Sequence, residues 1–221
     1  HLDIKPSNIM IRPTGEAVLV DFGLSRHDQL PDLLEEEFTL PMGTGPYMSP
    51  EQVQFIRSDP RSDLFALGVL MYHLATGERP FGQPNSVAGL RKRLYTEPVP
   101  PRVLCPTLPR WFQEVVLRCL EVQPDKRYQS AAPLALDLQN PDQVVLTERA
   151  DKRKTAGGLS TLSRWFKAMG AEPTHEGGAS GQLNRSPIIM VAVGIKSSTP
   201  ELDHKLRATV QRILQIEPGA R

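Results

Sequence analysis

The 221-residue chain carries 26 basic and 25 acidic side chains, a formal net charge of +1. That balance argues against a general nucleic-acid binder or an acidic solvating tail, and a charged fraction of 23% excludes a membrane bundle. Two cysteines, Cys105 and Cys119, are too few for a disulfide scaffold and fit a reducing, cytoplasmic setting.

The chain opens His1-Leu2-Asp3, with neither a basic n-region nor an apolar h-region, and reads as beginning inside a domain. Two short β-prone runs come first, Ile9-Met10-Ile11 and Val18-Leu19-Val20, flanking Pro13-Thr14-Gly15-Glu16. They predict an antiparallel hairpin. A turn centred on Thr14-Gly15 pairs Ile11 with Val18 and Ile9 with Val20, and brings Asn8 opposite Asp21. Two hard oxygen ligands side by side suit a Mg²⁺ also held by phosphates. Asp3 and Lys5 precede Asn8 on the same loop. A carboxylate there can orient a hydroxyl and take its proton. A lysine there can stabilise charge on a transferring phosphoryl group.

Further along, Leu64, Leu67, Leu70, Met71, Leu74 and Ala75 give a broad apolar helix face. It is interrupted by Gly68 and His73 and falls short of the roughly 20 residues of a membrane span. A buried scaffold helix is expected, closed by Gly77 as its C-cap. Met71 and His73 need no cofactor role. The triplet Arg91-Lys92-Arg93 reads as a solvated face, with contact to a substrate as the alternative. Trp111, Val115, Val116, Cys119 and Leu120 predict a second amphipathic helix, with Cys119 in the core.

Composition shifts near Asn140-Pro141. Residues 1–140 have net charge −3 and residues 141–221 net +4. Residues 141–186 read as a linker, in which Leu159, Leu162, Trp165, Phe166 and Met169 share one helical face expected to dock back on the preceding domain. From residue 187, the run Ile188–Val193 predicts a buried parallel strand. Ser197-Ser198-Thr199-Pro200-Glu201 then starts a helix carried by Leu202, Leu206, Val210, Ile213 and Leu214. One strand–helix unit cannot bury its own faces, so 187–221 reads as the start of a second domain.

The motifs of the first 140 residues resemble the C-terminal lobe of eukaryotic-type serine/threonine protein kinases, in wording most like bacterial members. His1-Leu2-Asp3-Ile4-Lys5-Pro6-Ser7-Asn8 resembles the catalytic loop and Asp21-Phe22-Gly23 the metal-binding loop. Gly43 to Glu51 resembles the end of the activation segment, with Ser49-Pro50-Glu51 in the A-P-E position. Asp63 to Gly68 resembles the start of the central helix, and Pro124 to Tyr128 places Arg127 where the family has the arginine paired with that glutamate. The resemblance implies a protein-kinase-like α+β fold, here a mostly helical lobe without its N-terminal partner. It implies ATP and Mg²⁺ as cofactors and a protein substrate with a Ser or Thr acceptor, with no nucleic acid and no transmembrane segment. By position, Asp3 is the catalytic base, Lys5 sits near the γ-phosphate, Asn8 and Asp21 hold Mg²⁺, and Thr44 bonds the Asp3–Lys5 pair. His1 and Asp63 are structural, Asp63 bracing the loop through its backbone N–H groups, and Glu51 and Arg127 form a partly buried ion pair.

Leu2 stands where many kinases have an arginine that binds an activating phosphate. An apolar side chain cannot do so. Thr39 is the only hydroxyl between His27 and Met42 and follows Glu35-Glu36-Glu37, so activity is expected not to depend on phosphorylation of this segment. No Gly-rich phosphate loop precedes His1, so the 221 residues by themselves are expected to be inactive. Residues 187–221 resemble the start of a doubly wound universal stress protein domain, with Gly194 where many members place an adenine-contacting Asp. A pseudokinase-type scaffold without turnover and a stress-linked nucleotide sensor are the alternative readings.

Overall fold

The computed structural model describes residues 1–26 and 43–155, together with Leu162 and Trp165. The acidic triplet at 35–37, Thr39, the strand and helix expected within 187–221 and Gly194 lie outside the described residues.

The hairpin forms with β1 at Ile9–Ile11 and β2 at Ala17–Leu19. Its register is one residue away from the expected one: Ile9 faces Leu19, Met10 faces Val18 and Ile11 faces Ala17. The cause is the turn. Arg12 N–H donates to Glu16 O at 2.9 Å and Gly15 N–H donates to Arg12 O at 2.8 Å, so three residues, 13–15, close the loop. The third of them must be left-handed, and Gly15 takes φ +86°. The strands therefore pair with Asn8 level with Val20, whose N–H donates to Asn8 O at 3.0 Å.

Six α-helices follow among the described residues: α1 Pro50–Val53, α2 Arg61–Thr76, α3 Val87–Arg91, α4 Pro101–Leu104, α5 Arg110–Cys119 and α6 Ala131–Gln139. The scaffold helix α2 is clad on more than one side. Phe65, Ala66, Val69, Leu70 and Tyr72 join Ile4, Tyr47, Val116 and Leu120 in one core cluster. Leu64 joins Val115, Cys119, Tyr128, Leu134 and Val144 in another. The expected apolar stripe is thus only part of its buried surface, and Leu74, placed on that stripe by spacing, is 76% exposed. The helix ends at Gly77 with φ +76°, its N–H donating to His73 O. Met71 packs at the core edge, and His73 Nδ1 meets the Tyr47 hydroxyl at 3.3 Å.

Helix α5 crosses α2 where Gly68 faces Cys119. A methyl group on Gly68 would lie 2.6 Å from Cys119 Cβ, so only glycine lets the two helices meet this closely. Cys119 is fully buried, as expected, and desolvation pushes its thiol pKa up to about 12. Cys105 is half-buried, its sulfur 3.2 Å from Thr107 Oγ1.

The first part of the stretch read as a linker is fastened to this body. Gln113, buried on α5, donates through Nε2 to the carbonyls of Arg149, Ala150 and Lys152 at 2.7, 3.1 and 3.0 Å. Its neighbour Glu114 accepts from Thr147 N–H and Thr147 Oγ1, each at 2.9 Å. Val144 and Ala150 are buried. Farther on, Leu162 and Trp165 are helical and exposed, Leu162 to 54%, and Leu159, Phe166 and Met169 of the face expected to dock lie outside the described residues.

Candidate active site

The loop from His1 to Asn8 is held from three directions. Asp63, in the first turn of α2, accepts the backbone N–H of Leu2 on Oδ1 and the backbone nitrogen of His1 on Oδ2, both at 2.8 Å. Gln52 Nε2 donates to Leu2 O at 2.8 Å. Both polar groups of the Leu2 backbone are therefore committed, and Leu2 holds φ +64°. A left-handed non-glycine backbone costs of order 1–3 kcal/mol and persists only where its surroundings over-determine it. The Leu2 side chain is buried, as an arginine at this position would not be without a partner. The His1 ring accepts from Asp3 N–H on Nδ1 at 3.3 Å, which leaves Nε2 to donate to Val20 O at 3.0 Å. Its face lies 4.8 Å from Phe22. His1 thus ties the loop to the far end of β2.

Asp3 is the focus of the site. It is 8% exposed. Oδ1 accepts Thr44 N–H at 3.0 Å and Thr44 Oγ1–H at 2.8 Å. Oδ2 accepts Lys5 Nζ–H at 2.6 Å and Asn8 Nδ2–H at 3.1 Å. Burial pushes the carboxyl pKa up, but the bonds from Lys5 and Thr44 more than reverse that, and the group ends below its usual value. It is a carboxylate with a fixed orientation.

Asn8 and Asp21 do not face each other as the expected register required. The Asn8 amide turns to Asp3, also donating to Asp3 O at 3.0 Å. Asp21 lies one step past the strand pair in a left-handed backbone, φ +63°, with Oδ1 accepting Gly23 N–H at 3.3 Å. It is joined to the rest of the site through Val20 and Phe22, which both meet His1. The donor set nevertheless fits Mg²⁺. Asn8 Oδ1 and Asp21 Oδ2 are hard oxygens that accept no hydrogen bond among the described residues, and Asp21 is exposed. A magnesium ion that keeps several waters and shares phosphate oxygens needs no closed protein cage.

The segment after Gly43 runs from Asp3 to α1. Thr44 bonds Asp3, Gly45–Tyr47 makes a 3₁₀ turn, and Ser49 caps α1. Ser49 Oγ accepts Gln52 N–H and Gln52 Oε1 accepts Ser49 N–H, a reciprocal capping box. Glu51 is fully buried rather than partly. It pairs with Arg127 through two bonds, at 2.6 and 2.8 Å, and accepts Ser62 Oγ–H at 2.7 Å.

Two contributors escaped sequence reasoning. Gln52 links the capping box to the Leu2 carbonyl; the S-x-x-Q spacing of Ser49 and Gln52 was the available signal. In the charged triplet, Arg91 and Lys92 are exposed as expected, but Arg93 is 1% exposed and donates to backbone carbonyls of the 45–48 segment. No local pattern singles it out from its neighbours.

Comparison with known proteins bears on this arrangement. Residues 1–137 match the protein kinase domain family. The chain belongs to the protein kinase family. A probable serine/threonine-protein kinase of Streptomyces coelicolor is 35% identical over 139 residues, covering 63% of this chain and 21% of that protein. Serine/threonine-protein kinase PknB of Mycobacterium tuberculosis is 36% identical over 138 residues, covering 62% and 22%. A probable serine/threonine-protein kinase of Clostridium acetobutylicum is 33% identical over 140 residues, covering 63% and 21%. The chain spans about a fifth of the length of these curated relatives. No helix among the described residues is long and apolar enough to cross a membrane.

Proposed function

We propose that the protein transfers the γ-phosphoryl group of ATP to a Ser or Thr hydroxyl of a protein substrate, with Mg²⁺ as cofactor. The observation that carries this reading is the buried Asp3 carboxylate, oriented by Lys5, Asn8 and Thr44. In the proposed step the acceptor oxygen bonds to the γ-phosphorus, the bond from that phosphorus to the β,γ-bridging oxygen breaks, and ADP leaves. The acceptor proton passes to Asp3. Lys5 is the donor on Asp3 with a long, flexible stem, and it is partly exposed. Turning to the γ-phosphate, it frees Oδ2 to receive the proton. Asn8 and Asp21 would hold the Mg²⁺, which neutralises phosphate charge when bound. His1 and Asp63 keep the loop in place, and Glu51 with Arg127 keeps the following segment in place.

Met10, Ile11 and Phe22 are more than half exposed. The reading assigns the rest of the ATP cleft to a further lobe. The 221 residues alone are then inactive. On sequence pattern alone, the reading extends to residues 187–221 as the start of a universal-stress-protein-like domain and to a cytoplasmic location.

The test is transfer of labelled γ-phosphate from ATP to a generic Ser/Thr protein by the full-length protein, with Asp3→Asn as control. Transfer lost in the control supports the reading. A folded, ATP-binding wild type that transfers nothing turns it to a pseudokinase-type scaffold.

A further inference from the structure

Arg93 is a buried cation with no carboxylate partner among the described residues. Nη2 donates to Gly45 O at 2.7 Å, Nη1 to Met48 O, and Nε to Leu90 O at 3.0 Å. Its guanidinium carbon lies 5.6 Å from the centre of the Phe81 ring. Desolvation lowers its pKa to about 10, so it is still charged at neutral pH. Burying an unpaired charge is unfavourable, and an apolar side chain of similar volume fills such a place better. Stability therefore does not explain an arginine here. Geometry does. A planar guanidinium spans two carbonyls three residues apart while its Nε reaches a third, and a lysine ammonium cannot.

The two carbonyls belong to the segment that adjoins Asp3. Thr44, immediately before it, donates two hydrogen bonds to the Asp3 carboxylate. Ser49 and Glu51, immediately after it, are buried and bonded. Residues 43–46 are partly exposed. An acceptor chain whose hydroxyl reaches Asp3 has to lie against them. Without Arg93 the segment is still held at its ends and by the buried Tyr47 ring, but the Gly45 and Met48 carbonyls have no other donor among the described residues.

We propose that Arg93 is a positioning residue for the protein acceptor: by clamping the Gly45 and Met48 carbonyls it fixes the backbone surface beside Asp3 on which the acceptor chain rests. The proposal rests on the phosphoryl-transfer reading above. It separates acceptor binding from ATP binding, since Arg93 touches neither the catalytic loop nor the Mg²⁺ donors.

The experiment uses the full-length protein as wild type, Arg93→Lys and Arg93→Met, with Arg91→Met and Lys92→Met as charge-loss controls from the exposed part of the triplet. Initial rates are measured with protein acceptor and ATP varied separately. Amide hydrogen exchange is followed across residues 44–49. Arg93→Lys keeps the charge and is the milder change, so it serves if Arg93→Met folds poorly. Expected are an acceptor KM raised about tenfold in Arg93→Lys, an ATP KM within about twofold of wild type, faster exchange at 44–49, and wild-type behaviour in both controls. An unchanged acceptor KM overturns the proposal, and so does an equal rise in both KM values. Should wild type transfer no phosphate, the reading of function fails, and exchange decides alone: unchanged protection at 44–49 in the Arg93 variants removes the clamp as well.

Discussion

Glu51 and Arg127, 76 residues apart, meet as a parallel two-bond pair inside the protein. Every N–H of the guanidinium is used. Nε donates to Glu121 O at 2.8 Å, and the remaining two donate to Arg61 O at 3.1 Å and Val122 O at 3.0 Å. Removing one partner leaves an uncompensated charge. Arg127→Met is expected to lower stability by about 3–5 kcal/mol, and the double variant Arg127→Met/Glu51→Leu to recover a large part of it. Urea denaturation of the three proteins checks this. Equal losses in the single and double variants would show that the arginine's bonds to the backbone, and not the pair, carry the cost.

Thr44 supplies two of the four hydrogen bonds on Asp3, one from its backbone and one from its hydroxyl. Thr44→Val removes the hydroxyl alone. The Asp3 carboxyl sits below its usual pKa in the folded protein. Its contribution to stability is therefore complete above the unfolded value and is lost as pH falls through the folded one. In Thr44→Val that folded value rises. The acid limb of the transfer rate should move to higher pH, and the rate at neutral pH should fall about tenfold. Thr44→Ser should leave both near wild type. A pH–rate profile of the full-length protein reads all three.

The contact of Gly68 with Cys119 predicts sensitivity to one methyl group. Gly68→Ala is expected to cost about 1–3 kcal/mol, even though alanine is the better helix former. Thermal unfolding would show the loss, and Cys119→Gly in the same protein should restore part of it by opening the space. A Gly68→Ala protein as stable as wild type would mean that α2 and α5 shift apart without penalty.

Thiol chemistry should separate the two cysteines. Cys119 is fully buried and its pKa is raised to about 12, so it carries negligible thiolate at neutral pH. Cys105 is half-buried. A thiol-specific reagent under native conditions should modify Cys105, and Cys119 only after denaturation. Peptide mapping of the modified protein identifies the site.

Much of the site was legible because its residues are close in sequence or carry fixed spacings. His1 to Asn8 is one loop, and Thr44, Glu51, Asp63 and Arg127 stand in recognisable motifs. What escaped is what depends on a single residue of length or direction. One extra residue in the turn at 13–15 moved the hairpin register and sent the Asn8 amide to Asp3 instead of opposite Asp21. Three adjacent cations look alike in sequence, and only the packed fold decides that Arg93 turns inward. Gln113 and Glu114 sit on the polar side of an amphipathic pattern, yet both are buried. Their partners at 147–152 come from a stretch whose composition resembles a linker.

Gln113 grips three carbonyls within residues 149–152 with one amide, so its bonds are loaded together when the chain is pulled. A tug from beyond Lys152 has to shear them at once and is delivered to α5, the helix wedged against Gly68. Residues 149–152 are therefore a fixed mooring on α5. The helical body that holds Gln113 is an anchor point with a handle on its own core.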